Sequence, residues 1–353
     1  MRIAVDAMGG DHAPGEIVRG AVEASRQWPD LETILIGDSA AVRAELAANR
    51  EPESERLRVV HTTQTIEMGE PPVQAVRSKR DSSIVRGMEM LRHKEADAFL
   101  SAGSTGAMVA AALLFVGRVR YLKRPAIGTI LPSVGKPYLL LDMGATVDCT
   151  PQELEQFAVM GSIYSSAVMG RKEPSVGLLS IGTEAEKGNS VTKETHELLS
   201  RNPLVKFAGN VEGHDLFKGE MDVCVADGFV GNVVLKTIES EARGISLMLR
   251  RAFTRNPLRM LGALLLKGAV RDLKKVMDPE LYGGAPLLGV NGTVIITHGA
   301  SSHKAIYHAI RVSAECVRQG VAAKITDHLA RLDRVRASSP ATAAAGSETP
   351  SEK

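Results

Sequence analysis

Short apolar runs alternate along this chain with segments whose apolar residues recur at helical spacing. Ile3, Ala4 and Val5 open the pattern, and the runs at 31–37, 57–60, 98–100, 125–131 and 137–141 repeat it. Runs this short, bounded by turn residues, predict buried strands. Between them, helices are expected from Pro14 through Val22, over 40–48, over 84–91 and from 107 to 116, with Asp38 and the Asp81-Ser82-Ser83 run as N-terminal caps. The segment 67–72, with two prolines, reads as a loop. The second half keeps the alternation. A helix is expected over 152–168 and a strand over 176–181, then a helix near 193–199 and strands over 204–207 and 222–226. A helix from 230 toward 253, a strand over 294–297, and helices over 304–318 and 321–332 complete it. Strands alternating with helices predict a three-layer α/β/α fold around a mainly parallel sheet covered on both faces.

The strand ends carry the candidate chemistry. The opening stretch MRIAVDAMGGDHAP leaves its apolar run at Asp6 and passes through Gly9-Gly10-Asp11, and Pro14 suits the first turn of the next helix. The run Ser101-Ala102-Gly103-Ser104-Thr105-Gly106 also joins strand to helix. Backbone N–H groups at such a helix start favour an anion. Three more polar strand ends follow: 182–189 with Lys187 and Asn189, Asp227-Gly228 with Asn232, and His298-Gly299-Ala300-Ser301. One such loop is an ordinary turn, and most loop lysines merely face water. Five in one chain point to an extended crevice at strand carboxyl ends, where open α/β sheets bind ligands.

Composition narrows the field. Net charge is +2 and aromatic content 4%, which argues against nucleic acid as a partner. There is no Walker A run and no GxGxxG, so no nucleotide cofactor is expected. His298, His303 and His308 are five apart and share no helix face, and Cys149, Cys224 and Cys316 form no CxxC, so no metal is expected either. No GxSxG elbow is present and no cysteine adjoins a glycine loop of this kind, so in an acyl transfer the attacking group would come from a substrate. No signal-peptide pattern precedes the first strand and no apolar run reaches about 18 residues, so a reduced cytosolic setting is expected. Residues 1–336 read as a single catalytic unit, in one or two lobes, and 337–353 as a disordered low-complexity tail.

The segment 244–279 departs from the alternation. It predicts a helical hairpin broken at Asn256-Pro257. Leu258, Met260, Leu261, Leu264, Leu265 and Leu266 are ringed by Arg250, Arg251, Arg255, Arg259, Lys267, Arg271, Lys274 and Lys275. A basic amphipathic helix of this kind lies on a membrane surface or packs on another subunit.

With these residues assembled, the chain resembles the PlsX family, acyl-carrier-protein:phosphate acyltransferases of bacterial lipid synthesis. The matching segments are VDAMGGDHAP at 5–14, SAGSTGA at 101–107, LDMGATVD at 141–148, GLLSIGTEAEKGN at 177–189, GNVEGHDLF at 209–217, DGFVGNVVLK at 227–236 and YGGAPLLGVNG at 282–292. Ser104, Thr146, Ser180 and His308 stand where the family pattern has asparagine. The resemblance implies a fold similar to isocitrate dehydrogenase and phosphotransacetylase, and a homodimer loosely attached to the inner face of the cell membrane. It also implies conversion of a long-chain acyl thioester and inorganic phosphate to acyl phosphate, with acyl carrier protein as partner and no cofactor.

That chemistry suits the residues. Phosphate is already a nucleophile at neutral pH, and a site that holds it against a thioester carbonyl gains ~7–11 kcal/mol from orientation. Asp6, Gly9, Gly10, Asp11, Ser101, Gly103, Ser104, Thr105, Gly106, Asp227, Gly228 and Ser301 are the expected phosphate and substrate contacts. Lys187, Asn189, Asn232 and His298 are the expected catalytic groups, with Lys187 sharing the phosphate with the 101–106 loop. Leu258, Leu261, Leu264 and Leu265 are the expected membrane contacts. The basic stretches Arg77-Ser78-Lys79-Arg80 and 118–124 could steer an acidic carrier protein toward the site. Two alternatives compete: a decarboxylating dehydrogenase of the same fold, and a non-catalytic membrane scaffold that binds acyl carrier protein.

Overall fold

The structure is a computed structural model that describes residues 1–276 and 278–338. The first half runs β1 (Arg2–Asp6), α1 (Gly15–Gln27), β2 (Glu32–Gly37), α2 (Ser39–Ala48), β3 (Leu57–His61), α3 (Pro72–Ser78), α4 (Ser83–Arg92) and β4 (Ala98–Ser101). Next come α5 (Thr105–Ala111), extended by a π turn over Ala112–Val116, then β5 (Ala126–Leu131), β6 (Tyr138–Leu141) and α6 (Pro151–Ala167). The second half runs β7 (Ser175–Leu179), α7 (Ser190–Arg201), β8 (Lys206–Val211), β9 (Val223–Val225) and α8 (Gly228–Phe253). It ends with α9 (Pro257–Leu265), α10 (Lys267–Val276), β10 (Ala285–Leu288), β11 (Thr293–Ile296), α11 (His303–Arg318) and α12 (Val321–Ser338). Of the expected tail 337–353, Ala337 and Ser338 instead close α12, and 339 onward lies outside the described residues.

The eleven strands among the described residues join one sheet in the order β3-β2-β1-β4-β11-β10-β5-β6-β9-β7-β8. Alternate residues of each strand feed opposite faces. Ile3 and Val5 pack on one face with Ile17 of α1, Phe157 of α6, Ile306 of α11 and Leu329 of α12. Ala4 and Phe99 pack on the other with Ile84 of α4 and Met108 of α5. The far half of that second face is covered by Leu235 of α8 against Tyr138 and Leu140. This is the three-layer arrangement expected from the strand–helix alternation.

Two features of the sheet were not legible in the pattern. First, β10 is a central strand, although it contains Pro286 and follows Gly283-Gly284. Second, β10 is antiparallel to both β11 and β5, and β5 is antiparallel to β6. The parallel strands β1, β4 and β11 therefore run opposite to the parallel strands β6, β9 and β7.

The helix caps follow the expected chemistry. Asp38 accepts from the N–H groups of Ala40 and Ala41, and Ser82 accepts from Val85. Thr150 and Glu153 form a reciprocal capping box at the start of α6, worth about 1 kcal/mol.

Candidate active site

The strands β1, β4 and β11 end side by side, and one buried carboxylate organises the loops that leave them. Asp6 is 1% exposed. Burial drives its carboxyl above the ordinary range, opposed by the hydroxyls of Ser101 and Ser83 and the N–H groups of Met8 and Gly9. Ser101 Oγ donates to Asp6 Oδ2 at 2.6 Å and accepts from Gly103 N–H at 2.9 Å. Met8 N–H donates to Asp6 Oδ1 at 3.0 Å. A β-carbon on Gly9 would lie 2.5 Å from Asp6 Oδ2 and 2.7 Å from Gly103 N, so the loop closes only around glycine. Asp11 N–H donates to the Gly299 carbonyl at 2.8 Å, and Thr297 N–H to that of Ser101 at 2.9 Å. The loops 6–11, 101–106 and 297–301 thus form one stitched cluster at the N-terminus of α5.

Within that cluster the expected residues divide into two kinds. Asp6, Gly9, Ser101 and Gly103 build the wall. Ser104 caps α5, its Oγ accepting from Ala107 N–H at 3.4 Å. Asp11, Thr105, Gly106 and His298 are exposed. His298 Nδ1 accepts from Ala300 N–H at 3.1 Å, which leaves Nε2 to carry the proton of the neutral ring. Ser301 is buried, and its N–H reaches the His298 carbonyl at 2.9 Å.

A second cluster follows β6, β9 and β7. Its organiser, Asp142, is fully buried and was missed among the candidate residues. Asp142 Oδ1 accepts from the N–H groups of Ile127 at 2.9 Å and of Gly144 and Ala145 at 3.1 Å, and Oδ2 accepts from Thr146 at 2.7 Å. Burial still raises its carboxyl above the ordinary range. Gly228 N–H donates to the Thr146 carbonyl at 2.9 Å. Gly231 meets the Asp142 carbonyl so closely that any β-carbon there would overlap it. Asp227 caps α8 by accepting from Val230 N–H at 2.7 Å, and Asn232 is exposed one turn on.

Asn189 caps α7. Its Oδ1 accepts from Thr192 N–H at 2.8 Å and Thr192 Oγ1 at 2.9 Å, so its amide N–H groups stay available. Lys187 is exposed and has no ion pair or side-chain hydrogen bond among the described residues.

The five strand ends therefore form two groups rather than one row. Lys187 sits in the loop after β7, six strand positions from β4 in the order of the sheet. The helix α5 connects the groups: Met143 and Ala145 of the second pack on the buried cluster that contains Ala107 and Met108 of α5.

The four positions at which the resemblance led us to expect asparagine divide evenly. Ser104 caps a helix, and the Thr146 hydroxyl donates to the Pro125 carbonyl at 3.2 Å. Ser180 Oγ and His308 Nδ1 are buried with no hydrogen-bond partner among the described residues. Burial lowers the His308 ring below its ordinary range.

Among the described residues, no cysteine is an activated nucleophile. Burial pushes the thiols of Cys149, Cys224 and Cys316 up to about 12. Among the described residues, Glu212, His214 and Asp215 bring ligand atoms close enough for a cation, but Lys218 already pairs with Asp215 at 2.6 Å.

In the hairpin, Asn256 caps α9 by accepting from Arg259 N–H at 2.8 Å, with Pro257 in the first turn. The helix α9 buries none of its residues. Leu258 is 79% exposed and Leu265 81%, and Leu261 and Leu264 are exposed beside them. No helix among the described residues is long and apolar enough to cross a membrane.

Comparison with known proteins agrees with this architecture. A phosphotransacetylase from Streptococcus pyogenes superposes with a TM-score of 0.61 at 20% identity, over 90% of this chain and 94% of that one. The EutD phosphotransacetylase from Staphylococcus aureus gives 0.57 at 16% identity, over 90% and 94%. These likenesses establish the fold. In sequence, the chain is 50% identical to a phosphate acyltransferase of Desulfitobacterium hafniense, over 94% of this chain and 98% of the relative. It is 46% identical to one of Halothermothrix orenii, over 93% and 98%. The family described as fatty acid synthesis protein matches residues 1–324. The dehydrogenase and scaffold alternatives fall away, and the chain belongs to the PlsX family of phosphate acyltransferases.

Proposed function

We propose that this protein transfers a long-chain fatty acyl group from acyl carrier protein to inorganic phosphate, producing acyl phosphate for phospholipid synthesis. The observation that carries this reading is the glycine-lined polar cluster at the ends of β1, β4 and β11, which adjoins the N-terminus of α5 in a chain of this family. Phosphate would sit there against the Gly10–Asp11 turn, Ser104, Thr105, Gly106 and Ser301. The partial positive charge of the helix start favours a dianion.

A phosphate oxygen attacks the thioester carbonyl carbon. The new C–O bond pushes an electron pair onto the carbonyl oxygen. Collapse of that tetrahedral oxyanion expels the thiolate and breaks the C–S bond. Lys187, the free amide of Asn189, Asn232 and His298 are the donors assigned to the developing charge and the bound acyl group, with Asp227 and Gly228 shaping their surroundings. One well-placed donor is worth about 2.7–4 kcal/mol at such an oxyanion.

The exposed leucines of α9 and the arginines around them support reversible attachment to the cytoplasmic face of an anionic membrane, where an amphiphilic product can be delivered. A homodimer is part of the same reading. Phosphate-dependent release of free thiol from an acylated carrier protein tests the function.

A further inference from the structure

The surface beside the α5 start has a charge and shape of its own. A groove there is lined by Pro71, Pro72, Val73, Gln74, Arg77 and Ser78. Its floor is continuous with the anion-binding loop: a β-carbon on Gly106 would lie 2.6 Å from Pro72 Cγ. Residues 71–80 and 105–125 contain no Asp or Glu. Of the basic residues at 77–80, Lys79 is engaged, donating to Glu70 at 2.5 Å and to the Thr65 carbonyl at 2.8 Å. Arg77 is exposed and has no acidic partner among the described residues. The Arg80 guanidinium lies 5.1 Å over the Phe115 ring, which joins α3 to the π turn after α5. Three residues beyond Phe115, within about 11 Å of chain, comes Arg118, held by the Lys123 carbonyl. Arg120 lies over Tyr121 at 4.9 Å. Val73 is 51% exposed and Leu114 46%.

We infer that this face, centred on Val73 and Leu114 and rimmed by Arg77, Arg80, Arg118 and Arg120, docks an acidic helix of the carrier that brings the acyl group. The inference rests on the carrier-borne donor proposed above and deepens it by giving the carrier a place. Charge complementarity selects the partner: a face built from two segments without Asp or Glu, whose guanidiniums are pre-positioned on aromatic rings and a carbonyl, suits a surface rich in Asp and Glu. Position selects it too, because the groove opens beside the loop that would hold phosphate. Anionic lipid is the weaker match. Binding to a bilayer draws on inserted apolar area, and the leucines of α9 offer more of it than Val73 and Leu114 do.

The experiment compares two donors, an acylated carrier protein and the same acyl group on a small thiol. Arg77→Glu/Arg80→Glu should raise KM for the carrier-borne donor by about tenfold and flatten its salt dependence. Turnover of the small thioester with phosphate should stay at the wild-type level. An unchanged KM for the carrier would overturn the inference. So would an equal loss with both donors, or a loss of vesicle binding with the carrier KM unchanged. The milder Arg77→Gln/Arg80→Gln variant should move the carrier KM in the same direction and by less. Wild-type protein that processes the small thioester but not the carrier-borne one would remove the carrier reading itself, and this surface assignment with it.

Discussion

The hydroxyl of Ser101 donates to the Asp6 carboxylate across 2.6 Å and ties the ends of β1 and β4 together beneath the glycine loop. Neither group is exposed, so the pair shapes the candidate site from behind. Asp6→Ala would strand the Ser101 hydroxyl and the Met8 N–H in a dry site. That should cost about 2–3 kcal/mol and lower kcat/KM for phosphate by at least about a hundredfold. Asp6→Asn keeps an acceptor for the Met8 N–H, reverses the Ser101 bond so that the amide N–H donates to Ser101 Oγ, and removes a buried charge. Its stability should stay within about 1 kcal/mol of wild type. Urea denaturation of both variants checks the order, and equal loss in the two would contradict it.

A second tie has a pH signature. His303 N–H donates to Glu16 Oε2 at 2.7 Å, and its ring Nδ1 lies 2.9 Å from the same oxygen. The backbone bond first, then the ring, holds the Glu16 carboxyl below its ordinary 4.5. A depressed carboxyl stabilises the fold above 4.5 and loses that contribution as the pH falls through its folded value. Glu16→Gln should therefore be about 1 kcal/mol less stable than wild type at pH 7, after allowance for solvent screening. The gap should close as the pH falls below 4.5 and through the folded value. A gap that persists or widens in acid would show that the pair acts through packing alone.

Lys187, without an ion pair among the described residues, lies on a loop fixed by the Asn210 amide, which donates to the Glu184 carbonyl at 2.8 Å. As an oxyanion donor it should act mainly on kcat. Lys187→Ala should lower kcat by about a hundredfold with KM for phosphate changed by less than about threefold. A rise in KM alone would move Lys187 to ground-state binding of phosphate. Unchanged kinetics in a folded variant would remove it from the site.

The helix α9 leaves its leucines exposed, and that exposure is either a lipid contact or a subunit contact. Leu264→Glu with Leu265→Glu should abolish sedimentation with anionic vesicles while solution activity stays largely intact. Vesicle binding that survives would exclude α9 as the anchor. Dissociation of the protein into monomers would reassign these leucines to a subunit interface.

Much of this was legible residue by residue, and the exceptions have physical causes. Apolar runs such as Ile3–Val5 are strands because both faces of the sheet are covered, so the runs are continuous rather than alternating. The β10 strand was missed because Pro286 argues against a central strand. It is tolerated where Ala285 and Pro286 pair with β11 while Leu287 and Leu288 pair with β5, each neighbour using half of a four-residue strand. The direction reversal that β10 and β5 impose leaves no mark on a hydrophobic pattern, so five strand ends read as one crevice. Asp142 resembled any other polar strand end, because its role depends on the N–H of Ile127, contributed by the neighbouring strand. Glu16 and His303 lie 287 residues apart and carry no local signal at all.

The most direct measurement follows free thiol and acylated product when purified protein, dialysed against a chelator, meets a long-chain acylated carrier protein with and without inorganic phosphate. The account predicts stoichiometric release of carrier thiol only when phosphate is present. It also predicts an acyl phosphate detectable by mass spectrometry, with no added nucleotide or metal. Thiol release that is independent of phosphate, or that yields only free fatty acid, would contradict it.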